Sequence, residues 1–194
     1  MIDYQCVTLQ DLDEVEALYR KYLDNGSSLR ERIDKIFSKN STYSCKAVDT
    51  DTGKIVGIAV YESGLILSCG HHEICEKIYD DIGKDAIIYT GESLLVETEY
   101  RDKKISYGLN EHIRTKMEVL AKERGEPVYV LHEMWVYPNG KTPAFKVVNG
   151  IYGIFRDFGI IPEFYRDYYK HGHLCPICGE NCKCSARITI SKID

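Results

Sequence analysis

The 194-residue sequence lacks any apolar run of the roughly 20 residues that a membrane-spanning helix needs, and it lacks an excess of positive charge. Its 30 aspartates and glutamates outnumber its 25 lysines and arginines, which gives a formal net charge of −5. A protein that binds nucleic acid through a general positive field is therefore disfavoured. The beginning of the chain carries acidic residues where a signal peptide would need an apolar segment. We expect a soluble, cytoplasmic protein without a membrane partner.

Linkers, internal repeats and low-complexity tracts are also missing, so residues 1–194 are expected to form a single α/β domain. The spacing of apolar residues predicts the element order β-α-α-β-β-insert-β-α-β-α-β-β. The predicted strands are residues 4–8, 43–48, 55–61, 93–97, 127–131, 164–169 and 186–190. The predicted helices are residues 12–22 and 29–37, a helix from residue 105 that ends at Gly125, and a helix from residue 145 that stops at Gly159. Residues 63–89 form the insert, with one helical patch at residues 74–82.

Four of the eight cysteines fall within ten residues of the segment HGHLCPICGENCKCSA, residues 171–186, between the last two predicted strands. They are Cys175, Cys178, Cys182 and Cys184. Four thiolates at this spacing favour tetrahedral zinc, and a site with four protein ligands leaves no open position, so the metal would be structural. His171 or His173 could replace one cysteine. Disulfides are the competing interpretation, which a reducing cytosol disfavours.

A cluster of positive charge stands at a corner between a predicted strand and a predicted helix, in LLVETEYRDKKISYGL, residues 94–109. Arg101, Lys103 and Lys104 lie at that corner. A helix N-terminus has N–H groups without partners and the positive end of the helix dipole, so it attracts anions. The corner is therefore either a phosphate site or a turn of solvated charges.

The same segment carries a resemblance to a known family. VETEYRDKKISYGL resembles the acyl-CoA-binding motif of the GNAT superfamily of N-acetyltransferases, V-x-P-E-Y-R-G-K-G-I-G-x-x-L. The matching residues are Val96, Glu99, Tyr100, Arg101, Lys103, Ile105 and Leu109. Where the motif has glycines, this sequence has Asp102, Lys104 and Ser106. FRDFGIIPE, residues 155–163, is similar to Y-E-K-L-G-F-x-P-E, which ends the family's penultimate helix, and the element order is also the family's.

The resemblance implies a GNAT-like fold, with a mixed central sheet flanked by helices, and transfer of an acetyl group from acetyl-CoA to an amine acceptor. The residues that it implies for cofactor binding are Leu95, Val96, Arg101, Asp102, Lys103, Lys104, Ile105 and Ser106. Residues 171–186 replace the hairpin that frames the acceptor site in the family. We therefore hypothesise that the zinc loop shapes acceptor recognition.

Direct attack of an amine on a thioester needs a base for the ammonium proton, a donor for the oxyanion and an acid for the thiolate. The candidate bases are Glu92, Glu97 and His132 or Glu133, at the ends of the two strands that flank the cofactor in the family. The candidate acid is Tyr152, because Phe155 stands where many family members have tyrosine. Each has an alternative role: Glu97 as a solvated residue, His132 as part of the scaffold and Tyr152 as a core residue.

Two other functions stay open at the level of sequence. One is a catalytically inactive GNAT-like interaction module stabilised by zinc. The other is a zinc-dependent nucleic-acid or partner binder, which would need a basic surface that the composition does not supply. Polyamines, amino acids, antibiotics, peptide N-termini and protein lysines are all allowed as acceptors, and the sequence predicts no oligomeric state.

Overall fold

The computed structural model describes residues 1–39, 42–67, 71–171, 173–175 and 177–194. Its strands are β1 (Ile2–Gln5), β2 (Tyr43–Asp49), β3 (Ile55–Ser63), β4 (Ile87–Val96), β5 (Val128–Val136), β6 (Arg156–Ile161) and β7 (Ser185–Ile193). Its α-helices are α1 (Leu12–Tyr22), α2 (Leu29–Phe37), α3 (His72–Ile82), α4 (Ile105–Arg124) and α5 (Phe145–Ile151). The predicted α/β order is therefore present in the described residues.

The seven strands form one mixed sheet in the order β1-β2-β3-β4-β5-β7-β6. All neighbouring strands are antiparallel except β4 and β5, which are parallel. The long helix α4 is the crossover that joins this parallel pair, as a parallel connection requires. Its N-terminus therefore lies at the edge of the sheet where β4 ends.

Helices cover both faces of the sheet. α4 and α5 pack on one face through an apolar stripe on α4 formed by Ile105, Leu109, Ile113 and Met117, all of them buried. α1 and α2 pack on the other face against β3 and β4. A third cluster covers that second face near β5 and β7, and it joins Ile78 of α3 to aromatic residues and three of the four clustered cysteines. The sequence predicted the α4 stripe correctly.

The C-terminal third differs from two predictions. α5 ends at Ile151 and Gly153 has a φ of +69°, so the helix does not continue to residue 155. Residues 156–161, in the segment predicted to end the helix, form β6 instead, paired with β7. Residues 164–169, predicted as a strand, form turns and the start of a 3-10 helix, Tyr168–His171. In residues 156–161, pairing with β7 outweighs the helical spacing of the apolar residues. In residues 164–169, the turns place the aromatic side chains against the sheet.

The predicted insert contains the end of β3, helix α3 and the start of β4, while its residues 68–70 lie outside the described ranges. Helix α3 confirms the helical patch that the sequence predicts at residues 74–82. Among the described residues, no helix combines the length and apolar character needed to span a bilayer.

Candidate active site

A cleft opens where β4 and β5 part. The two strands pair only along Ile87–Gly91 and Val128–His132. Beyond those residues β4 stays paired with β3, and β5 stays paired with β7. Beyond this point the facing edges of β4 and β5 are no longer hydrogen-bonded to each other. A cleft of about 1410 Å³ lies against these two edges. Backbone N–H and C=O groups along such an edge are available to a ligand.

The strands part at a β-bulge in β4. Val60 of β3 pairs with Ser93 and Tyr61 pairs with Gly91, so Glu92 is an extra residue without a register partner. A bulge of this kind bends the strand and changes the direction of the extra side chain. Glu92 lines the cleft.

Glu92 has an unusual electrostatic environment. Its Oε2 atom is buried and has no hydrogen-bond partner among the described residues. Burial raises the pKa of Glu92 to about 8, opposed by the Arg32 guanidinium and reinforced by the carboxylates of Glu62, Glu133 and Asp24. A carboxyl group with this pKa releases and accepts protons near neutral pH, which is what a general base needs.

The turn that precedes α4 has backbone conformations that glycine usually adopts. Asp102 and Lys104 have φ values of +62° and +61°, in the left-handed region that favours glycine. These are two of the three positions where the GNAT motif has glycine. The backbone therefore adopts the turn that the motif's glycines would allow, although neither residue is glycine.

We predict that Lys104→Gly raises the free energy of unfolding by about 1 kcal/mol, because a left-handed conformation costs about that much for a residue with a Cβ. Chemical denaturation of the protein without ligand measures this difference. Lys103→Gly is the matched control, since Lys103 has no positive φ and its replacement should lower stability instead. Equal destabilisation by both variants would contradict the prediction.

The eight residues that the resemblance implies for cofactor binding all line the cleft. The guanidinium of Arg101 lies over the ring of Tyr22, 5.0 Å from its centroid, and its Nε donates to the carbonyl oxygen of Val96 at 3.3 Å. Lys103 Nζ lies 4.6 Å from the centre of the Tyr100 ring. The first turn of α4 contains no acidic residue to neutralise the positive end of the helix dipole. This end of the cleft suits an anion.

Glu97 lies apart from the cleft lining. Its carboxylate accepts from Lys21 Nζ at 2.5 Å and from the hydroxyl of Tyr22 at 2.6 Å. The pKa of Glu97 is lowered, because these two hydrogen bonds outweigh the effect of burial. The Glu97 side chain therefore joins the loop that precedes α4 to helix α1.

His132 reaches the cleft but is buried and neutral. Burial lowers the pKa of His132 to about 3. The hydroxyl of Ser191 donates to the carbonyl of Gly153, so it accepts from Nε2 of His132, 3.1 Å away. This network assigns the proton to Nε2 and leaves Nδ1 as the basic nitrogen. At neutral pH His132 is a weaker base than Glu92.

Tyr152 is buried in the core rather than placed along the cleft. Its hydroxyl donates to the side-chain and backbone oxygens of Asn110 at 3.2 and 3.3 Å. The hydroxyl of Tyr61 donates to the same amide oxygen at 2.6 Å, and the amide nitrogen of Asn110 donates to the carbonyl of Ser106. The network fixes the first turn of α4 against β3 and α5.

The other end of the cleft is lined by residues that the sequence does not single out individually, although the many tyrosines after Tyr152 predict either the lining of an aromatic pocket or part of the core. They are Arg32, Glu62, Trp135, Tyr137, Tyr165 and Tyr168. They come from α2, β3, β5 and the segments that follow β5 and β6, so no single stretch of sequence brings them together. An alternating strand pattern at Trp135 and the run of aromatic residues after residue 163 are the only local signals.

The sequence matches no protein-family model, and no curated protein is significantly similar to it. The fold is similar to that of solved structures over the whole chain. With NAA60 from Arabidopsis thaliana, solved with a bisubstrate analogue, the TM-score is 0.70 at 16% identity, covering 100% of this chain and 99% of that one. All of these structural neighbours are GNAT-family N-acetyltransferases.

The chain has the GNAT fold.

Two further structures show the breadth of the match to the GNAT fold. The ribosomal-protein-S18-alanine N-acetyltransferase of Escherichia coli gives a TM-score of 0.61 at 13% identity, with 100% of this chain and 95% of that chain covered. Arylalkylamine N-acetyltransferase like 5b of a mosquito gives 0.62 at 12% identity, with both chains fully covered. The predicted fold class is confirmed.

On this GNAT fold, the clustered cysteines lie in the predicted loop between β6 and β7. The sulfur atoms of Cys175, Cys178, Cys182 and Cys184 all lie within 4.8 Å of one another. Sulfur atoms of a tetrahedral zinc site are about 3.8 Å apart, since each Zn–S bond is about 2.3 Å long. The Sγ atoms of Cys178 and Cys184 are 3.7 Å apart, so the cluster fits zinc.

The backbone of the loop supports these thiols. The N–H of Gly179, whose φ is +66°, donates to the carbonyl of Cys175 at 2.9 Å and closes a tight turn. The backbone N–H of Lys183 donates to the Cys178 sulfur, which lowers the pKa of that thiol. Gly172, Pro176 and the side chain of His171 lie outside the described part of the loop.

The loop is joined to the segment between α1 and α2 through Asp24, which is fully buried. Asp24 accepts from the backbone N–H of Leu174 at 2.8 Å, and His173 Nδ1 and Arg32 Nη2 each lie 2.8 Å from its Oδ2. It also accepts from the N–H of Gly26 at 2.7 Å. Arg32 and His173 line the cleft, so these bonds build one of its walls.

Proposed function

We propose that the protein is an N-acetyltransferase that transfers the acetyl group of acetyl-CoA to an amine acceptor. The observation that carries this proposal is the position of Glu92, at the bulge where β4 and β5 part and between the two ends of one cleft. A cationic helix N-terminus lies along one end, and an aromatic, acidic lining lies along the other. The similarity to GNAT-family N-acetyltransferases supports the same activity.

Acetyl-CoA fits the cationic end. Its pyrophosphate would be held by the side chains of Arg101, Lys103 and Lys104 and by the backbone N–H groups of Ile105 and Ser106 at the start of α4, next to the left-handed loop described above. Among the described residues, the edge of β4 at Leu95 and Val96 has no strand partner on the β5 side, and it would hydrogen-bond the cofactor's arm. These residues bind and orient the thioester towards the bulge.

Glu92 is the proposed general base. At pH 7, deprotonating an alkylammonium of pKa about 10.4 costs about 4.6 kcal/mol. Glu92 would take this proton directly or through one water, since its buried Oε2 lacks a partner among the described residues. The amine nitrogen then forms a bond to the thioester carbonyl carbon while the C–S bond breaks and CoA leaves as thiolate. His132 is the alternative base, weaker because of its low pKa.

We also propose that the four cysteines hold one structural Zn²⁺. They supply four thiolates at distances that fit a tetrahedral site, which leaves no position for a substrate. Three of them belong to the buried cluster that contains Tyr165 and Tyr168, and the backbone N–H of Tyr165 donates to the carbonyl of Cys184 at 3.4 Å. The metal would therefore fix the aromatic lining of the cleft without taking part in acyl transfer.

Release of CoA thiol in the presence of a mixed panel of amines tests the proposed activity. The panel contains a diamine, an amino acid, an aminoglycoside and a short peptide with a free N-terminus. We expect amine-dependent thiol release and a product whose mass is larger by one acetyl group. Hydrolysis at an equal rate with and without amine, or no release with any amine, would contradict the proposal.

A further inference from the structure

An apolar and aromatic surface lines the acceptor end of the cleft, which is the end away from the α4 corner. Leu67, Trp135, Tyr165 and Tyr168 line the cleft and belong to one hydrophobic cluster. Ile66, next to Leu67, also lines the cleft, and 41% of its surface is exposed. Pockets lined in this way bind the apolar part of a small molecule. The acceptor end therefore suits a ligand that carries an apolar group.

The aromatic rings of this surface are held in fixed positions. Trp135 packs edge-on against Tyr165 and Tyr168, with ring centroids 5.2 and 6.3 Å apart. The ring of His173 stacks on Tyr168 with centroids 4.3 Å apart, and its Nδ1 lies 2.8 Å from Oδ2 of the buried Asp24. Because these contacts form the aromatic surface in advance, a ligand binds there without the entropy cost of ordering the rings.

Glu92 provides a position for one ammonium group beside this surface. Among the described residues, Oε2 of Glu92 is the one carboxylate oxygen that is buried without a hydrogen-bond partner. Glu62, at the same end, is paired with Lys39 at 2.5 Å, and Glu133 has an interaction partner within the protein. A buried, unpartnered carboxylate oxygen indicates a cationic or hydrogen-bond-donating ligand. The acceptor end therefore suits a ligand with a single positive charge.

A carboxylate on the acceptor is disfavoured at this end of the cleft. Arg32 supplies a guanidinium there, and its Nη2 atom lies 2.8 Å from Oδ2 of the fully buried Asp24. Asp24 therefore balances the charge of Arg32, although the Nε atom of Arg32 has no hydrogen-bond partner among the described residues. A ligand carboxylate would add a negative charge near Glu92 without an unbalanced cation to meet it. An amine without a carboxylate is thus favoured over an amino acid.

We infer that the acceptor is a primary monoamine with an apolar group the size of a phenyl ring, its ammonium at Glu92 and its apolar group against Leu67, Trp135 and Tyr168. This inference rests on the proposed function for the transfer step. The ammonium nitrogen loses one proton to Glu92 before it attacks, and its bond to the acetyl carbon forms as the C–S bond of acetyl-CoA breaks. CoA leaves as the thiolate, and a second proton leaves the nitrogen as the neutral amide forms.

Calorimetric titration of the CoA-saturated protein with three amines tests the inference. The probes are 2-phenylethylamine, ethylamine, which lacks the ring, and L-phenylalanine, which adds a carboxylate to the first probe. We expect 2-phenylethylamine to bind about tenfold more tightly than either of the other two, because its ring is removed from water and no second charge is buried. Equal affinity of 2-phenylethylamine and ethylamine, or tighter binding of L-phenylalanine, would overturn the inference.

A second pair of probes tests the number of charges. n-Pentylamine and 1,5-diaminopentane have the same chain length and differ by one ammonium group. We expect n-pentylamine to bind more tightly, because the second ammonium of the diamine would have to lie against an apolar surface. Tighter binding of the diamine, or of a short peptide with a free N-terminus, would overturn the inference.

A variant locates the apolar group of the acceptor. Trp135→Ala should reduce the preference for 2-phenylethylamine over ethylamine by about fivefold, because the ring loses an aromatic surface to pack against. Val119→Ala is the matched control, since Val119 is an exposed apolar residue of α4 away from the cleft, and it should leave the preference unchanged. An unchanged preference in a folded Trp135→Ala protein would overturn the assignment of Trp135. The comparison of wild-type affinities decides the inference if this variant does not fold.

The proposed activity and the inferred acceptor fail in different ways once 2-phenylethylamine is added to the amine panel of the activity assay. Selective binding of 2-phenylethylamine without CoA release from acetyl-CoA would overturn the proposed activity and support the inferred acceptor site. Acetyl transfer to diamines, amino acids or peptides without a preference for the apolar monoamine would support the activity and overturn the inference.

Discussion

Replacing Glu92 with glutamine is expected to lower kcat/KM for acetyl transfer by about 10² to 10⁴, the usual contribution of a positioned general base. Glutamine keeps the shape of the side chain at the β4 bulge but cannot accept the ammonium proton. Because the carboxylate is the active form and its pKa is about 8, the wild-type rate should rise as the pH rises through 8. Initial rates of CoA release between pH 6 and 9 measure both effects.

The two candidate bases, Glu92 and His132, predict different dependences of kcat/KM on pH. With His132 as the base, kcat/KM would show no rise near pH 8, because the pKa of His132 is lowered to about 3 and its ring is already neutral. Glu97→Gln is the matched control, since Glu97 is paired with Lys21 outside the cleft and its replacement should have little effect on the rate. A Glu92→Gln protein with more than half of the wild-type rate would contradict the account.

Removal of zinc is expected to have the largest effect on stability. We predict one Zn²⁺ per chain, lost in Cys184→Ser, with a fall in Tm of about 10 °C or more, because binding of a structural zinc contributes directly to folding. Cys184 is fully buried beside Phe164 and Tyr165, so the aromatic lining loses its support. Elemental analysis and thermal unfolding measure the two quantities.

Cys6→Ser is the control for this experiment, since Cys6 is an exposed free cysteine outside the cluster. We also expect the zinc-free protein to keep its affinity for acetyl-CoA while its KM for the acceptor rises, because the cysteines of the loop pack against Tyr165 and Tyr168, at the end of the cleft away from the α4 corner. Wild-type protein that holds no metal but contains two disulfides would refute the zinc site. Unchanged acceptor KM in a folded, zinc-free protein would refute the role of the loop in acceptor recognition.

How far the sequence predicts the structure depends on whether a feature is local. The segment from Val96 to Leu109 predicts a strand, a tight corner and a helix, because the chemistry of each lies in neighbouring residues. The four clustered cysteines are recognisable for the same reason. The left-handed conformations of Asp102 and Lys104 are not, since lysine disfavours this region and aspartate adopts it only in a minority of cases.

Features that depend on pairing between distant strands are not recognisable in the sequence. β6 follows α5 closely, although the apolar residues up to Phe155 keep helical spacing, because β7 supplies its hydrogen bonds from 25 to 34 residues further along the chain. The β4 bulge likewise exists only in the register with β3. For this reason the sequence makes Glu92 one candidate base among several, and nothing in the neighbouring residues marks Glu62 or Trp135 as part of the cleft.

Titration of the zinc-loaded protein with acetyl-CoA, followed by calorimetry, tests the central claim that the α4 corner binds the cofactor. We expect micromolar affinity, weakened about tenfold in Arg101→Ala through loss of a charge-assisted contact to phosphate. Lys122→Ala, an exposed residue in the last turn of α4, is the control and should bind as the wild type does. No binding up to millimolar acetyl-CoA would contradict the account and leave a GNAT fold that serves as an interaction module.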